Sequence, residues 1–432
     1  MKVVAFLPVK GVSTRIKNKN LSLLDGKPLF IHTLEKLVDS QLFDEVYLDT
    51  ESDKVVEAAK EIQCKILRRD PALATNDTDG NQLFANQIAH AEADIYVQVL
   101  CTSPFISIET IKLGIERITQ DPAYDSAVLV RKEKLYTWQD GSPDYNINEI
   151  PNSGSLADTT IETMGLYIVK DHTAKKLKRR VGAQPYFMNA SPLEAIDVNW
   201  PEDFALASLI AAGLREEKSR LLRNIKSRAS SAILSDVLDD LGYPNQVFNG
   251  LSPIRNGAKL LGRAKTLRLR KLRDGEDFTG IYEAYKSYES VITNDIVVVE
   301  SETPEFAYFG ELNANLAIRA GASGAILGCK TRDSSHVPDI DFHVFSTGFC
   351  AQDVRKRATV DSINKPIKIQ GVSITPGELI FADSEGVVVI PKEIETKTLQ
   401  EISTKLTVED NILSGIAKGE PIGELLQKYG SF

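Results

Sequence analysis

Residues 3–20, VVAFLPVKGVSTRIKNKN, decide the fold. Val3 to Pro8 is short, apolar, rich in β-branched residues and closed by proline. It reads as a strand buried on both faces, which is the habit of a parallel sheet. From Lys10 the character reverses. Lys2, Lys10, Arg15, Lys17, Lys19 and Lys27 are opposed only by Asp25 over the first 27 residues. Parallel sheets place ligands beyond the carboxyl ends of their strands. The loop is therefore a candidate phosphate site, with Gly11 allowing close backbone approach and the cations neutralising a triphosphate. A solvated charged loop is the alternative reading. GxxxxGK[ST] and GxGxxG are both missing, which excludes the Walker and dinucleotide patterns.

Outward from this stretch, apolar runs alternate with helical spacing. Helices are expected at 29–39, 80–92 and 107–119, and from Val46–Leu48 onward to about Ile62. Strands are expected at Val46–Leu48, Ile66–Leu67, Ile95–Leu100, Ala127–Val130 and Leu166–Val169. The alternation predicts an α/β fold with a mainly parallel sheet. Residues 131–163 break it with clustered turn residues around Tyr136, Trp138 and Tyr145, as a substrate-covering loop or a surface hairpin. A helix is expected from Pro201 to about Lys226, charged over 213–226. It divides a first domain, 1–212, from a second, 227–432. The second is again α/β, with strands expected at 259–269, 295–300, 325–328, 343–346, 367–369 and 386–390.

Two further segments of the first half carry polar groups. Gln98-Val-Leu-Cys-Thr-Ser-Pro-Phe105 ends a strand, so Thr102 and Ser103 stand at a site-forming end. The same residues also suit a helix cap. In Glu194-Ala-Ile-Asp-Val-Asn-Trp-Pro-Glu-Asp203, alternation about a strand puts Asp197 and Asn199 on one side. They are oxygen ligands suited to Mg²⁺ (or Mn²⁺). Asn199 with Glu202 also fits a capping box.

Bulk properties bound the function. The chain has 432 residues, 51 basic against 60 acidic, for a net charge of -9. That balance argues against nucleic acid as a partner. Cys64, Cys101, Cys329 and Cys350 form no CxxC pair, which points to a reducing compartment without disulfides. No apolar stretch nears the roughly 18 residues of a membrane span, and the opening apolar run is short for a secretory signal. A cytoplasmic protein with no membrane partner is expected.

The first half resembles the cytidylyltransferases that activate acidic sugars of the sialic, legionaminic and Kdo types. The resemblance rests on PVKGVSTRIKNKNL (8–21), Arg69-Asp-Pro-Ala-Leu-Ala-Thr-Asn-Asp77, CTSPF (101–105) and IDVNWPEDF (196–204). It implies a Rossmann-like nucleotidyltransferase domain that transfers CMP from CTP to an acidic sugar and releases pyrophosphate. It implies a nucleotide site of Leu7, Pro8, Lys10, Gly11, Ser13, Arg15, Lys19, Arg69, Asp77, Thr102 and Ser103. Within it, Arg15 and Lys19 act on the triphosphate, and Asp197, with Asn199, holds the metal. Lys10, Asn199, Leu100, Cys101 and Ile106 depart from the family pattern, mainly on the acceptor side. Transfer to a sugar phosphate, alditol phosphate or phosphonate is the competing reading. A dimer through this domain fits either.

In the second half, Gly310-Glu311-Leu312 opens a helix whose free N–H groups suit a carboxylate. Arg332 and Asp333 follow a strand that ends at Gly328. Arg fits a carboxylate and Asp a divalent cation, or the two form a surface pair. LSDVLDDLGY (234–243), LGRAKTLRL (261–269), the segment 310–337 and ITPGELIFADSEGVVVIP (374–391) resemble the regulator of ribonuclease activity A and 4-hydroxy-4-methyl-2-oxoglutarate aldolase family. The resemblance implies a swivelling β/α domain. A keto acid would be held by Gly310, Glu311, Leu312 and Arg332, with Asp333 anchoring Mg²⁺ and Arg332 and Asp333 catalytic. It also implies self-association as a trimer or larger. An oligomerisation or protein-binding module is the alternative.

Overall fold

The computed structural model describes residues 1–335 and 342–430, so His336 and Val337 of the quoted 310–337 segment lie outside the described residues. The chain divides into two compact units, Met1–Ala212 and Gly213–Phe432. The division falls within one helix, Pro201–Arg228. The charged connector of the sequence is the later part of that helix.

The first unit is a seven-stranded sheet. Its strands are β1 (Val3–Pro8), β2 (Glu45–Thr50), β3 (Lys65–Arg68), β4 (Ile95–Val99), β5 (Ser126–Glu133), β6 (Thr159–Lys170) and β7 (Pro185–Asn189), in the order β7-β5-β6-β4-β1-β2-β3. All neighbours are parallel except β6, which runs antiparallel to β4 and β5. β1 is buried throughout because helices cover both faces of the sheet. Val3, Ala5 and Leu7 pack with α1 (Leu29–Asp39) and α4 (Ile108–Gln120). Val4 and Phe6 pack with Phe84 and Ile88 of α3 (Gly80–Ile88), while Val55 of α2 (Asp53–Ala58) belongs to the first group. The 131–163 excursion contains a small hairpin, Trp138–Gln139 against Ser142–Pro143, with an edge-on ring pair between Tyr136 and Tyr145.

The second unit is built on a mixed sheet. Leu260–Lys271, Ile296–Ser301, Gly324–Leu327 and His343–Ser346 run parallel in that order. Leu379–Ala382 and Val387–Ile390 continue the sheet antiparallel. The six strands expected here are present. Ala358–Ile363, Val372–Ile374 and Leu379–Ala382 were not foreseen. Among the described residues no helix is long and apolar enough to cross a membrane.

Candidate active site

Beyond the carboxyl ends of β1 and β4 lies a cleft of about 370 Å³. Its wall includes Pro8, Lys10, Ser13, Arg15 and Lys19 from the first loop, Arg69 after β3, and Thr102 after β4. Leu73, Thr75, Asn76, Thr78 and Leu83 also line it. The first loop, the segment after β3 and the turn after β4 thus meet at one place, although Pro8 and Thr102 are 94 positions apart in the chain.

Lys19 is only 7% exposed, and its Nζ donates to the Val198 carbonyl at 2.6 Å. The Val198 N–H in turn donates to the Thr102 carbonyl at 2.8 Å. One residue, Val198, therefore ties the basic loop to the turn after β4 and brings Asp197 near the ammonium. Burial pushes the Lys19 ammonium below the ordinary lysine value, and Asp197 offsets part of that. Lys10 reaches across to Asn76 Oδ1 at 2.9 Å, and its carbonyl accepts from Asn20 Nδ2. The Arg15 guanidinium lies 5.5 Å from the Trp200 ring centroid.

Residues 191–200 contain no strand, so alternation is not what gathers Asp197 and Asn199. Instead the Asn199 amide donates to Asp197 Oδ2. Asp203, rather than Glu202, accepts the Asn199 and Trp200 N–H groups, at 2.9 and 2.8 Å. It caps Pro201–Arg228, because a carboxylate three residues past Trp200 reaches both donors. Asp197 Oδ1 is buried and has no hydrogen-bond partner among the described residues. A carboxylate oxygen left without a donor fits a divalent cation. No group of three acids or His/Cys ligands stands together among the described residues, so substrate phosphates and water would have to complete such a shell.

Other expected residues sit differently. Leu7 is fully buried in the core and does not line the cleft. The Gly11 N–H donates to Glu51 Oε1 at 2.7 Å, so it is not free for a phosphate. A Cβ at Gly11 would stand 2.4 Å from Ser52 Cβ; the close approach that glycine allows is to the protein's own side chain. Asp77 is exposed while Asn76 and Thr78 line the cleft. Ser103 Oγ is buried against Gly165 without a partner among the described residues. The turn bearing Thr102 is held from behind by Lys36. Its Nζ donates to the Pro104 and Ile106 carbonyls at 2.8 and 2.5 Å, and burial lowers its pKa to about 8.

In the second unit, Gly310 and Glu311 begin the helix Glu311–Ala320. The Glu311 N–H donates to Asp333 Oδ2 at 3.0 Å, so this donor is already engaged by a carboxylate of the chain itself. Gly310 leaves room for that contact, since a Cβ there would lie 2.3 Å from Asp333 Oδ2. Arg332 Nη1 pairs with Asp353 at 3.0 Å, a partner the sequence did not disclose. Leu312 is largely exposed.

Residues 4–150 match the cytidylyltransferase family, and residues 231–389 match the Aldolase/RraA family. Protein DlpA of Legionella pneumophila is 29% identical over 206 residues, which are 46% of this chain and 32% of that protein. The N-acylneuraminate cytidylyltransferase A of Danio rerio is 22% identical over 214 residues, 46% of this chain and 49% of that protein. A putative 4-hydroxy-4-methyl-2-oxoglutarate aldolase of Halalkalibacterium halodurans is 27% identical over 173 residues, 40% of this chain and 77% of that protein. The chain spans about a third of the length of DlpA and about half of the Danio rerio protein. Side by side, the first unit is similar to the cytidylyltransferase family over residues 4–150 and the second to the Aldolase/RraA family over residues 231–389.

Proposed function

We propose that the first unit is a CMP-sugar synthetase, transferring CMP from CTP to an acidic α-keto sugar of the nonulosonic or octulosonic type. The observation that carries this reading is the mixed lining of the cleft. Lys10, Arg15 and Lys19 share it with Leu73, Leu83 and an Arg69 whose charge is matched by Asp49. The cations suit a triphosphate, and the apolar side chains with a charge-matched Arg69 suit a base. A hydroxyl of the acceptor attacks the α-phosphorus as its proton passes to water, the α–β anhydride bond breaks, and pyrophosphate leaves with the bonding pair. Lys19 and Arg15 are placed to neutralise the charge that develops on the phosphate oxygens. Asp197, with Asn199, is the residue set to hold Mg²⁺ (or Mn²⁺), which when bound supplies further neutralisation of those oxygens.

The test is pyrophosphate release by the full chain from CTP, ATP, GTP or UTP, against acidic sugars, sugar phosphates, alditol phosphates and phosphonates. Release with CTP and an acidic sugar is expected; turnover only with another acceptor overturns the acceptor class. For the second unit we propose a keto-acid site in which Arg332 receives the carboxylate and Asp333 anchors a divalent cation. The support is the Arg332–Asp333 neighbourhood at the start of the Glu311–Ala320 helix. Calorimetry of pyruvate or oxaloacetate with Mg²⁺ and the full chain tests it, with Arg332→Ala expected to abolish binding.

A further inference from the structure

Behind the cleft lies a chain of buried side chains that the reaction itself does not explain. Arg69 Nε donates to Asp49 Oδ1 at 2.9 Å, and Nη2 donates to the Asp49 carbonyl at 2.8 Å. Gln87 Nε2 donates to the other carboxylate oxygen at 2.6 Å, and Gln98 Nε2 donates to Gln87 Oε1 at 2.7 Å. Asp49, Gln87 and Gln98 are wholly buried, and Arg69 is 6% exposed. β2, α3 and β4 supply Asp49, Gln87 and Gln98, and Arg69 follows directly after β3. A glutamine in the middle of the apolar strand Ile95–Val99 is costly, and Gln98 Oε1 has no partner among the described residues.

Every amide in this chain points its N–H toward Asp49. The arrangement satisfies both carboxylate oxygens and pins the guanidinium by two of its three nitrogens. Nη1 has no hydrogen-bond partner among the described residues, and Arg69 lines the cleft. The ion pair cancels most of the charge that would draw phosphate, leaving directed N–H donors beside Leu73, Thr75 and Leu83. Such donors match the O2 and N3 acceptors of cytosine. Uracil offers O2 but carries a hydrogen on N3.

We propose that Gln87 and Gln98 are positioning residues which, through Asp49, fix Arg69 as a reader of the pyrimidine base. This rests on the cytidylyltransferase reading above. The test uses Gln87→Leu and Gln98→Leu in the full chain, with kcat and KM for CTP and UTP and a melting curve for each variant. For Gln87→Leu the KM for CTP is expected to rise about tenfold, and the CTP-to-UTP ratio of kcat/KM to fall about tenfold, with kcat at saturating CTP nearly unchanged. Gln98→Leu is expected to move the same ratio less while leaving the melting point in place, since it also removes an unpartnered buried oxygen. A lowered melting point with an unchanged ratio in both variants makes the relay merely structural and overturns the proposal. If Gln87→Leu does not fold, an unchanged ratio in Gln98→Leu overturns it alone. Wild-type chain that turns over neither nucleotide sinks the underlying cytidylyltransferase reading instead.

Discussion

Lys19 and Gly11 show how differently two residues of one loop act. Lys19→Ala is expected to lower kcat/KM by about 10²–10³, the scale of losing one positioned charge-stabilising group, while the melting point changes little. Because burial lowers the Lys19 pKa, the alkaline limb of kcat/KM should fall below the ordinary lysine range. Lys19→Arg, which stays protonated, should move that limb upward in a pH–rate profile. Gly11→Ala is a packing change. Its Cβ meets Ser52, so the first unit should lose about 1–3 kcal/mol in denaturant unfolding. Ser52→Gly in the same chain should recover most of that loss in a double-mutant cycle. The cationic bias of residues 1–27 was legible because charge is a local property. That Gly11 serves Ser52, and that Arg69 is matched by Asp49, was not legible: both contacts join residues 20 or more apart, and nothing local records them.

At the level of elements, the turn after β4 depends on α1 through Lys36. Its pKa, lowered to about 8 by burial, makes a signed prediction. The folded state releases the proton more readily than the unfolded chain, so the contribution is present above the ordinary value of 10.5 and is lost as pH falls through about 8. Stability of the first unit should therefore rise between these limits in a series of melting curves, and Lys36→Met should flatten the rise. Periodicity located Leu29–Asp39 and the buried strands Val3–Pro8 and Ile95–Val99, because burial on a regular element writes a period into the sequence. It undercounted Thr159–Lys170, of which only Leu166–Val169 was expected, because polar residues populate the first half of that strand. It misread 197–199 as a strand, since two polar residues around a valine mimic alternation while Asp203 and Asn199 hold the segment by side-chain contacts.

For the whole molecule, the two units hold separate hydrophobic cores, one around Leu7, Phe30 and Val97, the other around Leu267, Val299 and Leu327. A ligand that binds one core's surface stabilises that unit by mass action, about 2.7 kcal/mol at a hundredfold excess over Kd. CTP with Mg²⁺ should accordingly raise one calorimetric transition and leave the other in place; a uniform shift of a single transition would contradict independent units. The four cysteines add a practical consequence. Cys101 and Cys329 are buried, and burial pushes both thiols up to about 12, so neither is expected to react with a maleimide in the folded protein. Cys64 and Cys350 are partly accessible, one in each unit. The native chain thus already carries a sparse pair of attachment points. A dye attached at Cys64 reports ligand binding by the first unit, and one at Cys350 reports on the second by itself, with no engineered residue.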